Sequence, residues 1–284
     1  FRILGFTRHL PKCGWNVSIV APPSLPWEAV DPQLMEKVPS ETEIYRTPYS
    51  TTGLTKPLRK FAPYACWLPR ALKAGRQAIQ EIRPDILMTS GPPHGIHLIG
   101  ICLKRFHGVP WVADFRDPWI ANSYDQAAGR GLRGALAARL ERIVMAGADA
   151  VVANAPRAAE LLATAYPAHI GKITAITNGY DAEDFAGLPG PAPPELADDA
   201  ANLVHTGMIY AGRDPGPLLD VLSEINLKPG PRPVRLCLFG TRGNLALDAD
   251  LRIRGLGDVV RIGGQIPYAQ ALAAMRRASV LLLL

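Results

Sequence analysis

The residues of this chain whose types and spacing suit chemistry lie just after its apolar, β-favouring runs. In an open parallel sheet, ligands bind beyond the carboxyl ends of the strands, so those positions are read first. After Ser90 come Gly91-Pro92-Pro93-His94, which puts an imidazole in the first turn of the helix that follows. After Val112-Ala113 come Asp114, Arg116, Asp117 and Trp119. After Thr206 comes Gly207-Met208-Ile209-Tyr210-Ala211-Gly212-Arg213, and after Phe239 comes Gly240-Thr241-Arg242-Gly243.

Gly207 to Pro215 makes the strongest physical case. Its glycines let the backbone approach a ligand, and Arg213 can pair bidentately with phosphate oxygens. Asp214-Pro215 reads as an N-cap with proline at the first helical position, so free N–H groups there suit an anion. The same residues also read as a glycine turn with a solvated arginine beside a structural cap. The second glycine loop at Gly240 favours the anion reading. His94 at a helix start has its protonated form disfavoured by the helix dipole, so it would act as a neutral donor or acceptor; a polar capping role is the alternative. Asp114 and Asp117 can orient a substrate hydroxyl, and Asp117 can instead cap a turn or pair with Arg116.

Other chemistries find no motif. There is no Gly-x-Gly-x-x-Gly, Walker loop, Gly-x-Ser-x-Gly elbow or His-Glu-x-x-His. Asp248-Ala249-Asp250 has an Asp-x-Asp form but reads as a solvated turn. Cys13, Cys66, Cys102 and Cys237 lack Cys-x-x-Cys spacing, which indicates neither a zinc site nor a disulfide framework and fits a reducing cytoplasm.

At 48% hydrophobic and 20% charged residues, the 284-residue chain has the composition of a globular protein with room for two domains. Its longest apolar run, Val280 to Leu284, is far short of the roughly 20 residues of a spanning helix and reads as a buried strand. A net charge of +6 implies an anionic partner: a membrane surface, nucleic acid or a phosphorylated substrate. The stretch Lys56 to Arg83 interleaves Lys56, Arg59, Lys60, Arg70, Lys73, Arg76 and Arg83 with Phe61, Tyr64 and Trp67. That pattern suits an anionic membrane interface, or else a solvated helix face with its aromatics turned into the core.

Alternation and helical spacing supply the elements that must position these residues. An opening helix ends before Pro11 and Gly14; strands follow at Trp15–Val20 and Glu41–Thr47, with Pro22 to Pro39 as loop. Helix Leu68–Arg83, strand Asp85–Ser90, helix His94–His107 and strand Pro110–Phe115 come next. Helix Leu132–Ala146, strand Ala150–Ala153 and helix Arg157–Tyr166 complete the first half. Lys172 to Phe185 reads as a short buried strand that breaks at the hinge Asn178-Gly179, where positive φ is tolerated, before a proline-rich linker. The rhythm restarts with strand Asn202–Thr206, helix Pro215–Ile225, strands Val234–Phe239 and Val259–Ile262, helix Tyr268–Arg277 and the final strand. The expected fold is α/β: two Rossmann-like, doubly wound parallel-sheet domains around an interdomain cleft, the second incomplete. One large α/β domain with a proline-rich surface loop is the alternative. Both ends read as cut, the first inside a helix and the last inside a strand.

Pro84-Asp85-Ile86, Ser90 to His94 and Gly108 to Trp119, in that order, resemble the family-four glycosyltransferases of the GT-B fold. Lys172 to Asp181 resembles the end of their acceptor domain, and His205-Thr206-Gly207 onward the start of their donor domain. The resemblance implies an acceptor-side domain over residues 1–188, a linker over 189–200 and part of a nucleotide-sugar donor domain over 201–284. It implies sugar transfer from a nucleotide diphosphate donor to a glycan or lipid-linked acceptor, with retention and without a metal or other cofactor.

On this reading His94, Asp114 and Asp117 form the catalytic set, and Gly207, Tyr210, Arg213, Gly240, Gln265 and Ile266 hold the donor. Arg213 falls where the family usually has a lysine on the diphosphate, and Met208 where many members have an arginine. The family's first strand would precede Phe1 and its Glu-x7-Glu motif would follow Leu284, so this piece alone is expected to be a poor enzyme. The resemblance places the protein in the cytoplasm, peripheral on an inner membrane face through residues 56–83, and away from nucleic acid. A nucleotide-sugar epimerase of the same fold and a non-catalytic GT-B binding module are the alternatives.

Overall fold

The computed structural model describes residues 1–23, 31–48, 67–120, 131–186, 191–209, 214–227, 230, 232–240 and 245–283. The chain divides into two compact units, Phe1–Gly179 and Tyr180–Leu284.

The first unit opens with helix α1 (Arg2–His9), which passes into a 3-10 turn and stops at Gly14, whose φ of 84° only glycine adopts at little cost. Strands β1 (Ser18–Ala21) and β2 (Glu43–Arg46) pair in parallel. Between them, where loop was expected, lies helix α2 (Pro32–Glu36). Asp31 accepts from Gln33 N and Pro32 takes the first turn, so a local cap makes this helix without an apolar period.

Helix α3 (Leu68–Ile82) ends at Arg83, and strand β3 (Leu87–Gly91) follows. Then come helix α4 (His97–His107), strand β4 (Trp111–Phe115) and helix α5 (Gly131–Gly147). Strand β5 (Ala150–Ala153), helix α6 (Pro156–Ala165) and strand β6 (Ile173–Ala175) complete the unit. The four-stranded sheet runs β3-β4-β5-β6, all parallel. Its core gathers Trp111, Ala113 and Phe115 of β4 with Val144, Met145, Val151 and Leu162. A second cluster, Trp67, Ala71, Ile99 and Leu103, lies between α3 and α4 and is met by Val20 of β1 and Leu87 of β3.

The strand before the hinge, read as buried, is an edge strand: β6 pairs with β5 on one side only among the described residues, and Thr174 and Ala175 are exposed. Neither Asn178 nor Gly179 takes the positive φ that both residues tolerate.

The second unit begins with helix α7 (Ala182–Ala186), a short helix in the stretch read as leading into the linker. Residues 187–190 lie outside the described residues. Next come strand β7 (Ala201–Thr206), helix α8 (Gly216–Leu227), strand β8 (Val234–Phe239), helix α9 (Leu245–Ile253) and strand β9 (Val260–Gly264). Helix α10 (Tyr268–Arg277) and strand β10 (Val280–Leu281) close it. The sheet runs β10-β7-β8-β9, again all parallel, over a core of Leu219, Leu222, Leu236, Leu238 and Leu256.

Asp248-Ala249-Asp250 lies in α9 rather than in a turn, and Asp250 accepts from Arg254 Nε one helical turn on. Val280 and Leu281, read as buried, are 50% and 54% exposed, and among the described residues β10 pairs with β7 alone. Both units are thus built of parallel strands alternating with helices, the α/β architecture that the sequence implies.

Candidate functional site

The carboxyl ends of β3 and β4 lie side by side, with Ser90 opposite Asp114 and Gly91 opposite Phe115. This register sets the first unit's candidate site. Asp114 is fully buried, and both its oxygens are engaged within the protein. Arg2 Nε donates to Oδ2 and Arg2 Nη2 to Oδ1, each at 3.0 Å, while Ser90 Oγ donates to Oδ2 at 2.7 Å. Arg2 also donates to Asn178 Oδ1 at 3.1 Å. One arginine on α1 therefore ties the end of β4 to the segment after β6, and Asp114 brings in the end of β3 through Ser90. A carboxylate so engaged holds its neighbours in place rather than meeting a substrate. Sequence reading placed Asp114 and Asn178 at the site but not Arg2, whose partners lie more than a hundred positions away.

His94 is half-buried in a 3-10 turn that leads into α4. Its ring stacks on Trp119 at 5.1 Å and tilts against Phe115 at 5.7 Å. Burial, then the positive charge of Arg116, pushes its pKa down to about 4, so it is neutral near pH 7. Arg116 turns away from the pairing expected with Asp117: its backbone N–H donates to Gly91 O, and its guanidinium donates to Pro92 O. Asp117 is exposed.

The residue after Trp119 is anchored to α5. Ile120 N donates to Glu141 Oε2 at 2.9 Å, and Tyr166 Oη donates to Glu141 Oε1 at 2.7 Å. Glu141 is 4% exposed, and burial raises its pKa. A cavity of about 320 Å³ lies beside it, lined by Pro118, Ile120, Leu161, Leu162 and Tyr166.

In the second unit, Gly207 and Gly240 follow neighbouring strands β7 and β8 and press together. A Cβ on Gly240 would lie 3.0 Å from Gly207 O, and Gly240 has a φ of 85°. Gly207 N donates to Phe239 O and Gly240 N to Gly264 O, which ties the ends of β7, β8 and β9. Asp214 Oδ1 accepts from Gly216 N at 2.8 Å at the start of α8, the capping that the Asp-Pro pair implies. Tyr210 and Arg213 lie outside the described residues, as do Thr241 to Gly243. Gln265 is exposed after β9, whereas Ile266 packs against the cluster of Val204, Cys237 and Phe239.

The basic stretch is described only from Trp67 onward; Lys56, Arg59, Lys60, Phe61 and Tyr64 lie outside. Trp67, read as one of the aromatic anchors, is 3% exposed, and its Nε1 donates to Thr47 Oγ1. It belongs to the core. Arg70, Lys73, Arg76 and Arg83 are exposed, so the solvated face that the alternative reading required is present.

Among the described residues no helix is long and apolar enough to cross a membrane, and no three His, Cys, Asp or Glu side chains are grouped to hold a metal ion.

Solved structures share this architecture. A glycosyltransferase from Rickettsia africae aligns at 14% identity with a TM-score of 0.55, covering 96% of this chain and 66% of its own. Anabaena Alr3699/HepE in complex with UDP aligns at 14% identity with a TM-score of 0.59, over 92% of this chain and 72% of that one. LpCGTa in complex with UDP aligns at 10% identity with a TM-score of 0.56, over 98% and 70%. At such identities the likeness shows the fold, GT-B with two Rossmann-like units. The chain spans slightly less than two thirds of the Rickettsia protein. No curated protein matches the sequence. A match to the glycosyl transferase 4-like domain runs over residues 2–179, more than half of the chain, and the protein belongs to that family.

Proposed function

We propose that this protein moves a sugar from a nucleotide-diphosphate donor to a glycan or lipid-linked acceptor, with retention and without a metal ion, in polysaccharide or glycolipid assembly. Residues 1–188 form the acceptor side, 189–200 the linker and 201–284 the donor side.

The observation that carries this reading is the close approach of Gly207 and Gly240 at the carboxyl ends of β7 and β8. With no Cβ on Gly240 the backbones at the ends of β7 and β8 lie against each other, and the chain after Gly207 leads to the N-terminus of α8, whose dipole favours a negatively charged diphosphate. Tyr210 and Arg213, in the same loop, supply a hydroxyl and a guanidinium for the phosphates, and exposed Gln265 adds an amide. On the acceptor side, neutral His94 hydrogen-bonds a sugar hydroxyl, exposed Asp117 orients another, and Arg2 with Asp114 fixes the strand ends beneath them. Asn178 and Gly179 serve as the hinge. The exposed basic face of α3 faces an anionic membrane, which would place the protein in the cytoplasm, peripheral on the inner membrane.

The test is turnover of nucleotide-sugar donors by the full-length protein. The reading expects nucleoside diphosphate release that requires an acceptor, survives a chelator and yields a product of retained anomeric configuration. Epimerised sugar without an acceptor would make it an epimerase, and neither donor binding nor turnover would make it a binding module. For the membrane contact, binding should favour anionic over neutral vesicles and weaken with salt; equal binding to both would refute that contact.

A further inference from the structure

Three buried polar atoms around the Gly91-Pro92 loop have no hydrogen-bond partner among the described residues: His94 Nδ1, His97 Nε2 and Arg116 Nε. The two histidine nitrogens belong to one neighbourhood. A Cβ on Gly91 would lie 3.1 Å from His97 Nε2 and 3.3 Å from His94 Nδ1, so both nitrogens converge over this glycine. Arg116 is tied to the same loop through its bonds to Gly91 O and Pro92 O. Buried polar groups are almost always paired, and an unpaired cluster calls for a bound partner.

The chemistry of that partner follows from proton positions. Trp111 Nε1 is a donor only, and it donates to Thr89 Oγ1 at 2.8 Å. The hydroxyl's own hydrogen then needs an acceptor, and His97 Nδ1 lies 2.8 Å away. His97 is fully buried and stacked on Phe115 at 4.7 Å. Burial pushes its pKa down to about 3, so the ring is neutral. With Nδ1 accepting, its proton is on Nε2. The loop therefore offers two donors, His97 Nε2–H and Arg116 Nε–H, and one nitrogen, His94 Nδ1, whose state is open.

We propose that a single buried water is held here, accepting from His97 and Arg116 and donating to His94 Nδ1, so that Trp111, Thr89 and His97 fix the tautomer of His94. Two lone pairs and one O–H match two donors and one acceptor, with the second O–H left over. His94 then carries its proton on Nε2 and presents a neutral N–H donor, and His97 is a positioning residue. This rests on the reading of His94 as a site residue, which supplies the reason for fixing its tautomer.

The test is long-range ¹⁵N–¹H correlation spectroscopy of the histidine rings at pH 7, without any sugar donor. In the wild type, His97 and His94 should each show one tautomer, protonated on Nε2. His97 protonated on Nδ1, or His94 protonated on Nδ1, would overturn the proposal whatever the variants do. His97→Phe should move the His94 nitrogens toward values averaged between tautomers, and unchanged His94 signals in a folded variant would refute the relay. Thr89→Val, a milder change, should release His97 into a tautomer mixture, and a His97 still locked on Nε2 would refute it equally. Separately, loss of UDP binding with intact tautomers would count against the sugar-transfer reading and leave the relay standing.

Discussion

Arg2 and Asp114 form a two-pronged ion pair inside the first unit, with side-chain exposures of 6% and 0%. Removing one member of a buried pair strands the other without compensation and typically costs about 3–5 kcal/mol. Arg2→Ala should therefore lower unfolding free energy by about that amount in a urea titration, and Arg2→Lys should recover only part, since an ammonium cannot make the paired bonds. A loss below about 1 kcal/mol, the range of an exposed pair, would mean that the pair does not hold the strand ends.

The buried histidines predict an acid limb in stability. His94 and His97 have folded pKa values of about 4 and about 3, below the ordinary 6.5. Between those limits the unfolded chain binds protons that the folded chain refuses, so stability falls as pH falls from about 6.5. Each unit of depression is worth about 1.4 kcal/mol. His97→Phe should flatten the limb, leaving the part due to His94 and its neighbour Arg116. An unaltered slope in thermal denaturation across pH 4–6.5 would show that His97 is not the buried neutral group described here.

Glu141 has the opposite sign. Burial raises its folded pKa above the ordinary 4.5, so the folded state keeps a proton that the unfolded state has lost. Its contribution to stability is therefore gained as pH falls through the folded pKa and lost as pH rises through it. Glu141→Gln removes this titration and keeps an acceptor for Ile120 N–H. The variant should lose less stability than the wild type as pH rises above 4.5, and a parallel pair of curves would contradict that.

Gly240→Ala tests the glycine contact of the second unit. The substitution forces a φ of 85° on a side-chain residue and sets its Cβ 3.0 Å from Gly207 O, where backbone must shift. A cost of about 1–3 kcal/mol in stability is expected, together with weaker nucleotide binding. Wild-type stability with wild-type UDP affinity would show that the two glycines do not shape a ligand site.

The regular elements were legible because apolar runs between glycine and proline residues fix strands such as Ala150–Ala153 and Val234–Phe239. Burial at the edges was not legible, since β6 and β10 carry apolar residues yet pair on one side only among the described residues. Of the site, His94 was readable from its place after a strand and Asp114 from its place near the carboxyl end of one, but their surroundings were not. Arg2 lies in the opening helix, and nothing local marks its partners. His97, three residues after His94, read as a helical position, and nothing local showed that Thr89 and Trp111 would meet it. A side chain's position after a strand is encoded locally, whereas its partners are set by the fold.

Calorimetric titration of UDP into the full-length protein tests whether the Gly207 to Arg213 loop binds a nucleoside diphosphate. If Arg213 pairs with the diphosphate, Arg213→Ala leaves the phosphates partly unpaired at a cost of about 1.5–3 kcal/mol, a loss of affinity of more than about tenfold, and Arg213→Lys recovers much of it. UDP that binds Arg213→Ala as tightly as the wild type would show that Arg213 does not contact the diphosphate.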